Sequence, residues 1–321
     1  MFGLVRISCG YWMIERTQRT EIEGLVATPV QWNCPLAPFT SFGIGGSADA
    51  LIVIESIREL TDLLFYFSKN RIASRFIGRG TNILVADHGF KGAVLLFGKA
   101  FSGIKKVSEQ DDTVRIRVGG GCSLAKLLKW CINEGYSGFE FASGIPGSVG
   151  GAVVMNAGAW GGEVADVIAA VTVYSCDEGE KQLQADALEF TYRQWQNRKT
   201  NENEERLVLS ADFNLQRRTT KSIRESCLGF LEKRKGKQPR GVKNAGSFFK
   251  NPPGDSAGRL IEAAGLKGIT CGDAMVSPVH ANFLVNIGAA RAADVQQLME
   301  EVIRKVKETS GITLIPEVHF L

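Results

Sequence analysis

The run FASGIPGSVGGAVVMNAGAWGGE, residues 141–163, holds seven glycines, broken by Pro146 and by the polar Ser143, Ser148 and Asn156. Each glycine raises the entropy lost on ordering, so this density predicts turns and not an ordinary helix or strand. Glycine also lets a ligand approach the backbone closely. Successive N–H groups in such turns form a concave anion site that suits a diphosphate. Ile145, Val149, Val153, Val154 and Met155 thread the run, which marks it as packed and not as a plain surface loop. A second glycine turn, GRGTNILVAD (78–87), lies between strand-like segments. A Rossmann fold needs a helix directly after G-x-G-x-x-G, and a P-loop needs G-x-x-x-x-G-K-[ST]. Neither pattern is present, so the chain carries two phosphate-cradle candidates without either common nucleotide fold.

At 321 residues the chain is long enough for two or three domains with cores of their own. A net charge of +4, with no long basic run, gives no argument for nucleic acid or a membrane surface as partner. Seven scattered cysteines without C-x-x-C fit free thiols in a reducing cytoplasm, and three dispersed histidines predict no metal site. No apolar run reaches the length that spans a bilayer. Residues 1–30 lack a signal-peptide core and read as a variable extension, with Met13 as an alternative start.

Asp49 to Ile54 reads as a strand, followed by the capping box Ser56-Ile57-Arg58-Glu59 and a helix with Leu60, Leu63, Leu64 and Phe67 on one face. Ile83–Val85, Thr113–Val118, Val167–Tyr174 and Leu207–Phe213 read as further strands. Ser123 caps a helix that Gly135 stops. Lys221–Arg234 and Ala292–Thr309 are predicted helices, and Ile312–Leu321 a closing strand. The pattern is α+β.

Four further features carry candidate chemistry. NAGSFFKNP (244–252) sets Ser247 beside a flexible Gly246 and two aromatic anchors, with no histidine near to make it a nucleophile. Such a serine suits donation of a proton to a developing carbanion, or it is simply part of a turn before a buried aromatic pair. Arg193 in FTYR is either a carboxylate partner or a surface arginine. Glu317 in IPEV is either functional or a solvated carboxylate on a terminal strand. Lys233, Arg234, Lys235, Lys237 and Arg240 either hold a diphosphate or complement the end of their own helix.

Taken in order along the chain, these motifs resemble those of the UDP-N-acetylenolpyruvoylglucosamine reductases. The markers are NCPLAPFTSFGIGG (33–46), GRGTNILV (78–85), the long glycine run, FTYR, KQP with NAGSFFKNP, AAGLKG (263–268), SPVHANFLVN (277–286) and LIPEV (314–318). The resemblance implies an FAD-binding region of the vanillyl-alcohol-oxidase (PCMH) type in two subdomains, 31–104 and 105–217, then an α+β substrate-binding domain, 218–321. It implies non-covalent FAD, NADPH as hydride donor, and a UDP-sugar enolpyruvyl ether as substrate, reduced in cytoplasmic peptidoglycan precursor synthesis. A monomer is expected. Ser247 matches the family's proton donor, and Arg193 and Glu317 the pair that polarises the substrate carboxylate. Tyr192, Lys237 and Asn251 match substrate-binding positions. Gly78, Arg79, Gly80, Thr81, Asn82 and Ile83 match the cofactor cradle, as do Ser143, Gly144, Ile145, Pro146, Gly147, Ser148, Gly150, Gly151, Asn156 and Gly158.

Two positions depart from the family pattern. Trp195 stands where a serine commonly follows the arginine by two residues, and Thr81 replaces a more usual serine. The absence of a long aromatic insertion points to the shorter subtype. Two other classes fit parts of the chain. One is an oxidase on the same flavin fold with His88 near the first glycine turn, and the other is a UDP-sugar-binding module without chemistry.

Overall fold

The computed structural model describes residues 14–197 and 206–321, so Cys9 and the alternative start Met13 lie outside the described residues. The chain divides into two compact units. The first takes the described residues up to Trp32, then Asp49–Gly78 and Lys91–Glu232; the second takes Asn33–Ala48, Arg79–Phe90 and Lys233–Leu321.

The first unit opens with helix α1, Arg16–Glu23, whose Ile22 is fully buried. One sheet has the strand order Gln31–Pro35, Ser47–Ile54, Phe90–Phe97, Ser74–Phe76, the last two parallel. Helix α2, Ile57–Asn70, covers it as the spacing predicts, with Leu60, Leu63, Leu64 and Phe67 buried in one cluster with Ala50, Ile52, Ile54, Ala93 and Leu95. Each such side chain contributes about 1.5–3 kcal/mol when fully buried. The Ser56 hydroxyl accepts from Glu59 N at 3.1 Å, but the Glu59 carboxylate accepts from Glu55 N at 2.7 Å, one residue before the cap.

A second sheet is antiparallel, in the order Gly179–Gln184, Ile168–Ser175, Leu207–Arg217, Thr113–Gly119, Ile104–Gln110. Helix α3, Leu124–Glu134, packs in the same core through Leu124, Leu127 and Cys131. Ser123 caps it and Gly135, at φ 75°, ends it, as the sequence predicts.

The glycine run departs from expectation. Val149–Val154 is a short helix, α4, capped by the Ser148 hydroxyl, where the glycine density predicted only turns. A helical glycine costs about 1 kcal/mol against alanine, and here tertiary contact outweighs that. A Cβ on Gly150 would lie 3.1 Å from the Gly120 carbonyl oxygen, while Gly150 N donates to that same oxygen at 2.8 Å. Val149 N donates to Cys122 O at 2.8 Å. The helix is held against the end of a strand by backbone bonds, and a side chain at that point would crowd them. Helix α5, Thr220–Lys235, lies within one residue of the predicted bounds at either end.

The second unit centres on an antiparallel sheet ordered Lys243–Asn244, Leu284–Asn286, Ala274–Val276, Thr270–Cys271. Helices α6, Ala257–Ala263, and α7, Ala292–Ser310, share its core, α7 through Val295, Leu298, Val302 and Val306, with the partly buried Met299 packed beside them. Gly311 ends α7 at φ 74°. The α7 N-terminus is capped from a distance: Ala292 N and Ala293 N donate to the Asp87 carboxylate at 2.7 and 3.0 Å.

The predicted closing strand is only partly regular. His319–Phe320 pairs in parallel with Ile83–Leu84, and Pro316 forms an isolated antiparallel bridge with Phe249. Pro316 has no N–H to continue a ladder, so the segment changes partner there. No helix among the described residues is long and apolar enough to cross a membrane, and no cluster of three or more His, Cys, Asp or Glu residues there could hold a metal.

Asp87→Ala removes two bonds to otherwise orphaned helix amides and should destabilise the protein by about 1–2 kcal/mol. Denaturant unfolding checks this, and an unchanged midpoint contradicts the capping role.

Candidate active site

In the second unit, Ser247 sits on a loop fixed from both sides. Upstream, Gly246 adopts φ 81° and its N–H donates to the Asn244 side chain at 3.0 Å. Downstream, Phe248 and Phe249 are fully buried, with ring centroids 5.3 Å apart. The aromatic pair is the anchor that the sequence suggested.

The terminal segment runs beside this loop. Lys250 N donates to Ile315 O at 2.9 Å and Glu317 N donates to Phe248 O at 2.8 Å. After Pro316 the same segment pairs with the first glycine turn. His319 N donates to Asn82 O at 3.0 Å, Leu321 N to Leu84 O at 3.0 Å, and Ala86 N to Leu321 O at 2.7 Å. The Asn82 amide also donates to Glu317 O at 3.1 Å. Ser247, Glu317 and the turn Gly80–Asn82, separated by up to 237 residues in sequence, are thus joined by a short chain of backbone bonds.

Gly80 lies at φ 62°, and a Cβ there would meet the Phe39 carbonyl oxygen at 1.9 Å. Its own carbonyl accepts from Ser41 N at 2.9 Å. Ile83 continues into the strand. Asn251 braces the chain locally, its side-chain carbonyl accepting from Ala257 N at 3.0 Å at the start of α6. Lys237 is exposed just past α5, and its N–H donates to Arg234 O at 3.1 Å. Burial lowers the pKa of the half-buried Arg234, whose guanidinium donates to Gln238 at 2.9 Å.

His319 was not among the predicted site residues. Burial, together with the nearby Lys250 ammonium, pushes its imidazole down to about 4. The side chain beside Asn82 and Glu317 is therefore neutral at pH 7.

In the first unit Gly78 stands against the long glycine run. A Cβ on Gly78 would stand 2.6 Å from the Ser148 hydroxyl. Gly144 and Gly147 take φ 74° and 148°, so both turns need glycine. The helix α4 amides are less available than the sequence implied. Gly150 N and Val149 N donate to Gly120 and Cys122 carbonyls, and Gly151 N to the Ser148 hydroxyl at 3.2 Å. The N–H groups of Gly144, Gly147 and Ser148 take no acceptor among the described residues. Gly144, Ile145 and Pro146 also line a cleft of about 550 Å³ with Leu128, Lys129 and Ile132 of α3 and Arg224 of α5. Ser143 is buried, its hydroxyl donating to Glu140 O at 2.7 Å, which makes it a brace for the run.

Arg193 lies at the tip of a hairpin formed by Leu188–Thr191 and Gln194–Asn197. It holds φ 60°, a left-handed conformation that costs a non-glycine residue energy and clusters at functional sites. Its guanidinium lies 5.1 Å from the Tyr192 ring centre and donates to Gly158 O at 3.4 Å. Asn156, fully buried at φ 39°, donates to Thr191 O at 3.3 Å and accepts from Ala165 N at 3.0 Å. The end of the glycine run thereby holds the Arg193 hairpin. Trp195 faces Phe190 across that hairpin, with ring centroids 6.4 Å apart, and packs against the core. The indole braces the turn at the position where a serine was expected.

The first unit holds backbone amides without a protein acceptor and an arginine on a strained turn, and the second a serine loop bonded to the terminal segment of Glu317. The family model "FAD binding domain" matches residues 48–182, and "UDP-N-acetylenolpyruvoylglucosamine reductase, C-terminal domain" matches 238–321. A UDP-N-acetylenolpyruvoylglucosamine reductase of Syntrophus aciditrophicus is 41% identical over 94% of this chain and 95% of its own length. The chain belongs to this family. A reductase of the same name from Desulfosudis oleivorans is 39% identical over 90% of this chain and 93% of its own length. The crystal structure of the UDP-N-acetylenolpyruvylglucosamine reductase of Thermus caldophilus superposes with a TM-score of 0.74 at 35% identity, covering 91% of this chain and 98% of that one. The family and the α+β flavin-binding fold expected from the sequence both hold.

Gly80→Ala should destabilise the second unit by roughly 2–4 kcal/mol, since the added carbon strikes backbone and the φ is unfavourable. Unfolding within about 0.5 kcal/mol of the parent, the usual spread for neutral surface changes, would contradict the close approach. A pH effect also follows. The unfolded chain protonates His319 near its ordinary 6.5 and the folded one only near 4, so this contribution is full above 6.5 and is lost as pH falls toward 4. His319→Gln should flatten the fall in thermal midpoint across that window, and an unchanged slope would contradict the burial.

Proposed function

We propose that the protein is an FAD-dependent, NADP-linked reductase. It converts the enolpyruvyl ether of UDP-N-acetylglucosamine enolpyruvate to UDP-N-acetylmuramate, in the cytoplasm and as a monomer, during peptidoglycan precursor synthesis. The observation that carries the reading is the hydrogen-bonded path from Ser247 through Phe248 and Glu317 to Asn82: Glu317 N donates to Phe248 O at 2.8 Å, and the Asn82 side-chain amide donates to Glu317 O at 3.1 Å. It ties a proton-donor candidate and a carboxylate to the first glycine cradle.

The residues present fit FAD. Gly78 abuts Ser148 where any Cβ would clash, and the Gly144, Gly147 and Ser148 amides stand ready for a diphosphate. We also assign Arg79, Gly80, Thr81, Asn82, Ile83, Ile145, Pro146, Gly151 and Gly158 to cofactor binding. Bound FAD supplies the hydride, replenished from NADPH, and its attachment is non-covalent.

Reduction of the enolpyruvyl double bond puts negative charge on the carbon that bears the carboxylate. The carboxylate can act as an electron sink only if its developing charge is neutralised. Arg193 does this through charge-assisted bonds, with Glu317 as the second member of the polarising pair. Ser247 then gives its hydroxyl proton to the carbanion-like carbon. Tyr192, Lys237 and Asn251 hold the UDP-sugar, with Lys237 serving the diphosphate. Along the chain, 31–104 and 105–217 serve flavin binding and 218–321 substrate binding.

Ser247→Ala should bind FAD and accept hydride from NADPH as the parent does. Its turnover of the enolpyruvyl substrate should fall by on the order of 10²–10⁴, the usual loss for a proton donor. Steady-state kcat with flavin content measured alongside decides this, and near-normal turnover would remove Ser247 from the role.

A further inference from the structure

The motif SPVHANFLVN contributes no residue to the roles above, yet it contains two buried asparagines, Asn282 and Asn286. A buried amide has four hydrogen-bonding sites to satisfy and is destabilising unless they are met. Asn282 spends its side chain on one residue's backbone. Its Oδ1 accepts from Phe249 N at 2.9 Å and its Nδ2 donates to Phe249 O at 2.8 Å. Its own carbonyl accepts from Phe248 N at 2.8 Å. The side chain thus acts as a neighbouring strand would, gripping both polar groups of the residue two beyond Ser247. Its own placement is fixed in turn: Asn282 N donates to His280 Nδ1 at 3.2 Å, and the His280 ring packs edge-on to Phe283 at 5.0 Å.

Asn286, four residues on, plays the matching part for another marker segment. It donates to Phe42 O at 3.1 Å and accepts from Gly288 N and Ala290 N at 3.0 and 3.1 Å. The terminal segment grips the Ser247 loop on its other side, through Glu317 N to Phe248 O. The Phe248–Phe249 backbone is therefore clamped between Asn282 and the terminal segment at Glu317, and Ser247 is the first residue outside the clamp.

We propose that Asn282 is a positioning residue for the proton transfer: it fixes the Phe248–Phe249 backbone so that the Ser247 hydroxyl is held at the carbon it protonates. This inference rests on the reading of Ser247 as proton donor. A reacting group misplaced by even about 1 Å can cost about 10²-fold in rate.

The test uses the full-length, FAD-loaded protein and its two half-reactions, followed by flavin absorbance in a rapid-mixing instrument. Asn282→Ala removes both bonds. Asn282→Asp keeps the volume and the acceptor for Phe249 N but sets a second oxygen against Phe249 O. The expected result is flavin reduction by NADPH within about twofold of the parent. Reoxidation by UDP-N-acetylglucosamine enolpyruvate should be slower by about 10- to 100-fold, with a larger solvent deuterium isotope effect. A purely structural role would lower both half-reactions together or abolish FAD binding in both variants, and either result overturns the proposal. So would reoxidation at the parent rate. Ser247→Ala, run beside them, separates the two claims. Normal reoxidation there removes the proton-donor reading itself, whereas slow reoxidation there beside a normal Asn282→Asp removes only the positioning role.

Discussion

The last seven residues are the constraint on which the second unit's chemistry depends. Ile315 and Glu317 bond by their backbone to the Phe248–Lys250 segment, and His319 and Leu321 to the Asn82–Ala86 segment. Each bond alone has a net worth of only about 1 kcal/mol. Together they fix where a serine loop, a carboxylate and a glycine turn stand, with no long-range ion pair needed. Pro316 is the pivot, because a residue without an N–H is where one pairing can stop and another begin. Val318, buried between the two pairings, drives the segment into the core.

The first unit solves a different problem, that of bringing backbones close together. Gly78 against Ser148 and Gly150 against Gly120 are contacts at which any side chain would crowd its neighbour. The cost of ordering so many glycines is offset by the packing of Val149, Ala152 and Val153, all buried. The same run contains Asn156, whose amide ties it to the hairpin of Arg193. The glycine run and a strained arginine thus share one scaffold segment.

Much of this was legible in the residues. Helices α2 and α3 were readable because a cap or a glycine stop agrees with a 3.6-residue apolar period, and the Ser123–Gly135 bracket needs no tertiary information. Helix α4 was not readable, since local propensity argues against it and only contact with Gly120 reveals why glycine is required. The closing strand was half readable: the pattern predicts extension but not the change of partner at Pro316. Asp87, Asn282 and Asn286 were missed because they act across 205, 33 and 244 residues of sequence respectively, and a lone polar residue looks like a loop residue. One signal was present, two asparagines four apart bracketing the apolar Phe283-Leu284-Val285. Trp195, a departure from the expected serine, became intelligible only once Phe190 was seen across the hairpin.

A reductase of this kind must bind FAD and pass its hydride to an enolpyruvyl substrate. The most direct measurement is the visible absorption spectrum of the FAD-reconstituted protein, taken under anaerobic conditions before and after NADPH, and again after UDP-N-acetylglucosamine enolpyruvate. A flavin spectrum that bleaches with NADPH and returns with the enolpyruvyl substrate is the predicted result. Failure to bind FAD on reconstitution, or a bleached spectrum that the substrate cannot restore, would contradict it.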